Sequence, residues 1–552
     1  MKRKVARRLL AALTAALTLL FPLAGCRRDS LQGKSFRFPL EAEPRQLDPQ
    51  VSTDAASVAL IAALFEGLTR LDENGNAIPA AATWTVSDDG LEYTFLLKES
   101  YWSTLPAASN PEDKTIWEEP VMVTAHDFVF GMQRAVLPET GSSLASELFG
   151  IQNARAVNQG ELPASDLGVK AVDDRELVIT LEEPDPSFPE KLAGTPFMPC
   201  NAQFFEYTAG RYGLEKPYVL TNGPFCLEAW NHGESLLLSK NENYHSQEDV
   251  CPAAVRYVIQ TGEEAGEALL AGTLDAAALT PAQLEAAEEQ NMQIVTTEDT
   301  IEYIWLNNRV TCLSSASVRR ALRDALAWDR IGEQLDTAYC SPAQGYIAPA
   351  ALLTGTEPYR TAQNSRAVAT NITRAREELE AGLASLELAS MPTLSVLCAD
   401  DAYSMNLARY IIQSWQSHLS LYFQMEAVSA SELRTRIQVG NYQIAIGAQT
   451  GQSLYAMEAL SSFLSTAPSG NYSRYTSESF DKLYNELSVG GYTRADVDRL
   501  EQMLVEDCPS IPLDFQKRFF GIPEGTSGII VRPFGGGAFG ATFDFRHAGK
   551  LE

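Results

Sequence analysis

Two apolar periods interleave along this chain, and together they restrict it to sheet and helix packed against one another. Tyr93, Phe95 and Leu97 alternate with Thr94, Leu96 and Lys98, and ELVITLEEP (176–184) repeats the pattern, as half-buried strands do. Helical spacing lies between such runs. Thr124 and Asp127 form a capping-box pair ahead of Phe128, Met132 and Val136, whose i, i+4, i+8 spacing predicts one apolar stripe. A further helix is predicted after Ser317. Val318, Leu322, Ala325, Leu326 and Leu335 share its face, while Arg319, Arg320, Arg323, Asp324 and Asp329 lie largely off it. Asn231, His232 and Gly233 separate two extended runs, which predicts a hairpin. No internal repeat is found, and the most loop-like stretches are 103–120 and 354–370.

The N-terminus has a different grammar. Lys2, Arg3, Lys4, Arg7 and Arg8 precede an apolar run, Leu9 to Phe21, that Pro22 ends, and LAGC (23–26) follows. The run falls short of the ~20 residues a membrane-crossing helix needs. The layout is that of a signal peptide. Ala24 and Gly25 before Cys26 resemble the bacterial lipobox, in which the cysteine thiol takes a diacylglycerol and becomes the new N-terminus. Residues 1–25 are therefore expected to be a lipoprotein signal peptide and 26–30 a lipid-anchored tether. The protein is expected outside the cytoplasm, held to the cell membrane through the lipid on Cys26 alone.

Removing the five cationic residues before Cys26 moves the formal charge from −28 to about −33. So acidic a surface repels nucleic acid, and no basic run survives beyond Arg28. The mature length of 527 residues, 45% hydrophobic composition and lack of a long low-complexity stretch predict a large, multi-lobed core. Cys200, Cys226, Cys251, Cys312, Cys340, Cys398 and Cys508 show no C-x-x-C spacing, and the five histidines are far apart. Neither a metal site nor another cofactor is expected. No G-x-S-x-G elbow or phosphate-binding G-K-[ST] loop occurs, so no enzyme is predicted. The glycines of IIVRPFGGGAFGATFDF (529–545) lack the dinucleotide spacing and read as turns or close strand packing.

A series of longer segments, taken in order, resembles one family. EPRQLDPQ (43–50), residues 64–99 from LFEGLTRLDENGN onward, and VTAHDFVFGMQRAV (123–136) are similar to the opening of the oligopeptide- and dipeptide-binding proteins of ABC importers, solute-binding family 5. TNGPFCLEAWNHGESLLLSKNENYH (221–245) resembles its G-P-[FY]-x-[LV] hairpin, and LLAGTLDAA (269–277) its helix-to-strand turn. IEYIWLNNRVTCLSSASVRRALRDALAWDRI (301–331) resembles its most recognisable segment, and GNYSRYTSESFDKLYNEL (470–487) and EDCPSIPLDF (506–515) take the C-terminal positions.

The resemblance implies an α/β, two-lobed periplasmic-binding-protein-like fold with a two-strand hinge and an extra domain inserted in the N-terminal lobe. The first lobe is expected in 31–66, 180–299 and 508–552, the inserted domain in 67–179, and the second lobe in 300–507. The implied function is capture of an oligopeptide or similar solute between lobes that close by hinge bending. Delivery would be to an ABC permease with its ATPase subunits, and a monomer is expected. The alternatives are a member taking a non-peptide solute (sugar, nickel chelate or haem) and a sensory lipoprotein without a transport role.

Family members that bind peptides hold the α-ammonium with an aspartate after a tryptophan-containing or glycine-rich strand. Here the corresponding stretch, YQIAIGAQTGQSLYAMEAL (442–460), has no acid before Glu458. An unpartnered buried ammonium costs several kcal/mol, about enough to abolish binding. Either Glu458 or a carboxylate elsewhere must substitute, or the ligand is neutral there. Gln449, Thr450, Gln452 and Ser453 offer neutral hydrogen bonds. Arg434 and Arg436 precede the strand where some members hold a ligand carboxylate, and Tyr303, Trp305 and Tyr472 are candidate cleft aromatics against an equally weighted core-packing role.

Overall fold

The computed structural model describes residues 35–72, 75–103, 120–331, 335, 338–362, 364, 368–451, 453–467, 470–488, 491–536 and 542–550. Most of the loop predicted at 103–120, and Cys26 with the signal segment, lie outside the described residues. No described helix is long and apolar enough to cross a membrane.

One four-stranded sheet runs in the order Ser35–Leu40, Ala254–Ile259, Ser235–Lys240, Phe225–Asn231, with its first pair parallel and the others antiparallel. The predicted hairpin is its edge, turning at Gly233, whose positive φ of 73° suits a residue without Cβ. A second four-stranded sheet, wholly antiparallel, runs Ala82–Val86, Glu92–Leu97, Glu176–Thr180, Val169–Ala171. Tyr93, Phe95 and Leu97 are its buried face, as their alternation predicts. Helix Ala125–Val136 starts at the Thr124–Asp127 capping box and buries Phe128, Met132 and Val136 completely. Both sheets and this helix feed one continuous core, which also takes in Phe543 and Phe545; Phe38 stacks on Phe545 at 4.8 Å.

The largest sheet holds the molecule together. Its main order is Ala277–Leu279, Ser510–Ile522, Gln293–Leu306, Ile444–Thr450, Leu394–Ala399, Phe423–Val428. The strands Gln293–Leu306 and Ser510–Ile522 are 14 and 13 residues long. Phe520 and Ile522 belong to the first core, whereas Ile301, Tyr303 and Phe515 belong to a second and Ile304, Ile511 and Leu513 to a third. This is a two-lobed α/β fold crossed by two long strands. Their register slips between Thr297 and Thr300, where the buried Asp299 accepts hydrogen bonds from Phe534 N (2.6 Å) and Arg518 Nη1 (3.1 Å). A bulge held by one carboxylate lets the pair bend without losing its other ladder bonds. Further along, Glu302 faces Asp514 across the ladder, and burial together with Glu302's charge pushes the Asp514 carboxyl up to about 9.

The helix predicted after Ser317 spans Ala316–Asp324, with Val318 and Leu322 buried as expected; Leu335 reaches the same core from beyond the helix end. Its charges lie off the apolar stripe but find partners in the protein. Arg319, Arg323 and Asp324 are buried rather than turned to solvent. The reason is the helix Arg494–Asp507, whose C-terminal carbonyls need donors. Arg319 donates to Asp507 O and Cys508 O, Arg320 to Glu506 O, and Arg323 to Val505 O. Cations at a helix C-terminus are also favoured by its dipole. Apolar periodicity could not show this, because the partner carbonyls lie some 180 residues away in sequence.

Six cysteines, Cys200, Cys226, Cys312, Cys340, Cys398 and Cys508, are free thiols, all but Cys226 buried.

Candidate functional site

The first and second cores meet where a proline-rich turn abuts a short helix. In PDPSFPEK (184–191), Asp185 accepts from Ser187 N (2.9 Å) and Ser187 Oγ (2.7 Å), fixing a turn that leads into the helical turn Phe188–Lys191. Phe188 is anchored in the first core. Lys191 consequently folds back, its Nζ 2.9 Å from Asp185 Oδ2. Opposite, Ser453 Oγ accepts from Tyr455 N at 3.1 Å and opens the helical turn Ala456–Ala459, whose Met457 enters the second core and whose Glu458 faces Lys191.

Lys191 Nζ lies 3.8 Å from Glu458 Oε1, an ion pair across the lobes but too long for a hydrogen bond. Burial works against the lysine's charge, yet Asp185, Glu458 and Glu147 outweigh it and hold the ammonium protonated beyond its usual range. The acids are strained in the opposite sense. Burial, then the charge of Glu458, pushes the Glu147 carboxyl up to about 7. Glu458 and Glu190 are also raised, chiefly by burial, with Lys191 opposing the shift at Glu458. Glu190 Oε2 and Glu458 Oε2 are buried and have no hydrogen-bond partner among the described residues. Tyr455, Tyr484 and Tyr492 surround the group, and the same acids help raise their phenols. Three carboxyls, Asp185, Glu458 and Glu147, thus converge on one ammonium with Glu190 beside Asp185, and Glu190 and Glu458 present unused acceptors. Such an arrangement attracts a second cation or a proton.

The residues singled out in the sequence fall into separate places. Glu458 is in the acidic group. Tyr303 and Trp305 are sealed in the second core, ring centroids 4.4 Å apart, and Trp305 Nε1 donates to Gly447 O at 3.0 Å. Tyr472 is half-buried, edge-on to Trp305 at 5.4 Å. Gln449 and Thr450 end a strand beside the hinge, where Thr450 Oγ1 meets Thr300 Oγ1 at 2.9 Å. Ser453 is buried in the turn described above, and Gln452 lies outside the described residues. Arg434 is exposed, and Arg436 is engaged by both carboxylate oxygens of Glu426, at 2.6 and 3.2 Å. Sequence reasoning missed Glu147, Asp185, Glu190 and Lys191. The one local signal was the alternation of prolines and charges in EEPDPSFPEK, which specifies a turn but not what faces it.

The comparisons with known proteins agree with this architecture. Residues 77–471 match the family described as bacterial extracellular solute-binding proteins, family 5. The chain belongs to that family, and it is therefore a binding protein rather than an enzyme. It is 24% identical over 518 residues to the oligopeptide-binding protein OppA of Bacillus subtilis, covering 92% of each chain. To the dipeptide-binding protein DppE of the same organism it is 24% identical over 546 residues, covering 94% of this chain and 96% of that one. Among solved structures, the substrate-binding domain of an oligopeptide ABC transporter from Bacillus anthracis superimposes with a TM-score of 0.75 at 23% identity. That superposition covers 95% of this chain and all of the other.

Proposed function

We propose that this protein captures oligopeptides, or solutes ending in a similar cation, between its two lobes and hands them to an ABC permease driven by its ATPase subunits. The observation that carries the reading is the excess of carboxyls over ammonium where the cores meet: Glu147 and Glu458 face a lysine already hydrogen-bonded to Asp185. A peptide's α-ammonium supplies the missing charge. Glu458 then does the work of the aspartate absent from 442–457, with Glu147 beside it. Gln449 and Thr450, at the strand end nearby in sequence, suit the peptide's backbone amides. A ligand that touches Glu458 on one lobe and the 185–191 turn on the other favours the closed state, because only that state offers both contacts.

The domain assignment proposed with this function places lobe I in 31–66, 180–299 and 508–552, the inserted domain in 67–179 and lobe II in 300–507. The shared core of Phe36, Tyr93 and Phe545 supports packing the insert on lobe I. Lipidation at Cys26 would keep a monomeric receptor near its permease, and two or three acyl chains hold far longer than one. A mass increment of a diacylglyceryl group on the mature N-terminal peptide is expected; an unmodified Cys26 removes the anchor from this account.

The deciding experiment is native mass spectrometry of the chain lacking residues 1–26, with release and fragmentation of co-purified ligand, followed by titration with a free-amino tripeptide and its N-acetylated form. Peptides among the released masses, and binding at least ~10-fold weaker after acetylation, are expected for a charge-assisted contact. Equal binding of the two peptides would remove the ammonium assignment. A single non-peptide species, with neither peptide bound, would move the function to another solute.

A further inference from the structure

A cavity of about 750 Å³, counting its open mouth, shares no lining residue with the acidic group at Glu458 and Lys191. Its lining comes from 59–71, 193–225 and 532–546, and it holds five charged residues: Glu66, Arg70, Arg532, Asp544 and Arg546. A cationic excess is notable in a chain with a formal charge of −28.

Glu66, Asp544 and Arg532 are already satisfied, while the Arg546 side chain donates through Nη1 alone among the described residues. Glu66 accepts from Tyr244, from His245 at 2.5 Å and from Arg546 Nη1 at 3.3 Å. Asp544 accepts from Arg532 Nη2 at 3.0 Å and from Arg546 N at 3.2 Å. Arg532 also donates to the carbonyls of Leu71 and Asp72. Arg70 is the remainder. Its backbone is fixed in the strand Thr69–Leu71, paired with Ala77–Pro79, but its guanidinium makes no hydrogen bond or ion pair among the described residues. It is half-buried, and burial, then the charge of Arg546, depress its pKa against the opposing charges of Glu66 and Asp544, neither of which it touches. A planar five-donor cation left unpaired beside a second guanidinium is costly unless something anionic completes it. The opposite wall is apolar, built from Ala59, Ala62, Met198, Phe225 and Phe543.

We infer that this cavity is a second ligand site, in which Arg70 and Arg546 hold the oxyanion head of a small organic anion and the alanine-phenylalanine wall takes its apolar body. A carboxylate or a phosphate head satisfies the same two guanidinium forks. The inference does not rest on the peptide reading, since no residue is shared with the acidic group at Glu458.

The test uses the mature chain exchanged into chloride buffer, with melting followed against acetate, hexanoate and inorganic phosphate at matched ionic strength, up to about 50 mM. At least one anion is expected to raise the melting temperature saturably. The same shift is expected in Glu458→Gln, which alters only the site between the lobes. Arg70→Met should abolish it while melting no lower than wild type in chloride, because it removes an unpaired charge; Arg70→Lys should weaken the apparent affinity at least ~10-fold. Hexanoate exceeding acetate identifies a carboxylate with an apolar body, and phosphate acting alone identifies a phosphate head. The inference fails if no anion gives a saturable shift, or if the shift persists in Arg70→Met; should that variant not fold, an undiminished response in Arg70→Lys overturns it instead.

Discussion

Glu66 is a buried carboxylate and Glu458 a half-buried one with a buried oxygen, yet their surroundings treat them in opposite ways. At Glu66 burial would raise the pKa, but the hydrogen bond with His245 and the charge of Arg546 outweigh it and hold the group at about 2. Each of its oxygens has a donor. At Glu458 burial prevails; one oxygen has no partner, and the nearest cation stands at 3.8 Å beside an acid it prefers. The first arrangement is complete as the chain folds. At the second, carboxyls outnumber the ammonium, and the peptide proposed above would supply the missing charge.

Breaking the complete network has the largest expected effect. Glu66→Ala leaves the largely buried side chains of Arg546 and His245 without their acceptor, and losing one partner of a buried ion pair typically costs about 3–5 kcal/mol. Urea unfolding is expected to show a loss of that order; a change below about 1 kcal/mol would mean the network is not a unit. The acid dependence follows from the same residue. Because its folded pKa lies below the ordinary 4.5, Glu66 stabilises the fold above that pH, and the contribution drains away as pH falls toward about 2. Glu66→Gln should flatten that part of the stability curve.

The incomplete site answers through affinity rather than stability. Glu458→Gln is expected to weaken a free-amino tripeptide by roughly 10- to 100-fold, the range of a charge-assisted hydrogen bond, and to leave the N-acetylated peptide unchanged. Equal losses for both peptides would mean that Glu458 shapes the site without meeting the ammonium.

These two sites were unequally legible in the sequence. The alternation at Tyr93 to Leu97, the capping box at Thr124 and the hairpin at Gly233 are local, and local physics places them correctly. Glu458 drew notice only because a family position upstream was empty. Glu147, Asp185, Glu190 and Lys191 were invisible, since a cluster assembled from the first core and the second leaves no spacing to read. The arginines of 319–323 illustrate the same limit: lying off the apolar face does not say what they meet, and their partners are carbonyls of a distant helix end. Tyr303 and Trp305 show that an aromatic pair fits core and cleft patterns equally well until its neighbours are known.

A smaller effect should appear with pH at the incomplete site. Glu147, pushed up to about 7, is partly protonated in neutral solution. Its raised folded pKa means that the empty protein loses stability as pH rises from about 4.5 through 7. A ligand ammonium reverses the preference, favouring the ionised acid, so affinity for a peptide whose α-amino group is still protonated should rise between pH 5 and 7 by at most about tenfold per unit. Glu147→Gln should make affinity flat over that interval; a slope that survives the substitution would assign the titration to another group.

The smallest effect is expected at Arg436, and it sharpens the contrast between satisfied and unsatisfied charge. The guanidinium already grips Glu426 at 2.6 and 3.2 Å, and Glu432 stands 3.8 Å away on the same helix. Glu426 and Glu432 are well exposed, so the pair works in high dielectric and is worth about 0–1 kcal/mol. Holding a ligand carboxylate would require giving up a bidentate partner for an equivalent one, with little net gain. Arg436→Ala is therefore expected to shift the melting temperature by about a degree and to leave the ratio of affinities for a peptide and its C-terminal amide unchanged. A tenfold loss confined to the free-acid peptide would show that Glu426 releases the guanidinium when ligand arrives, and that this pair is part of the site.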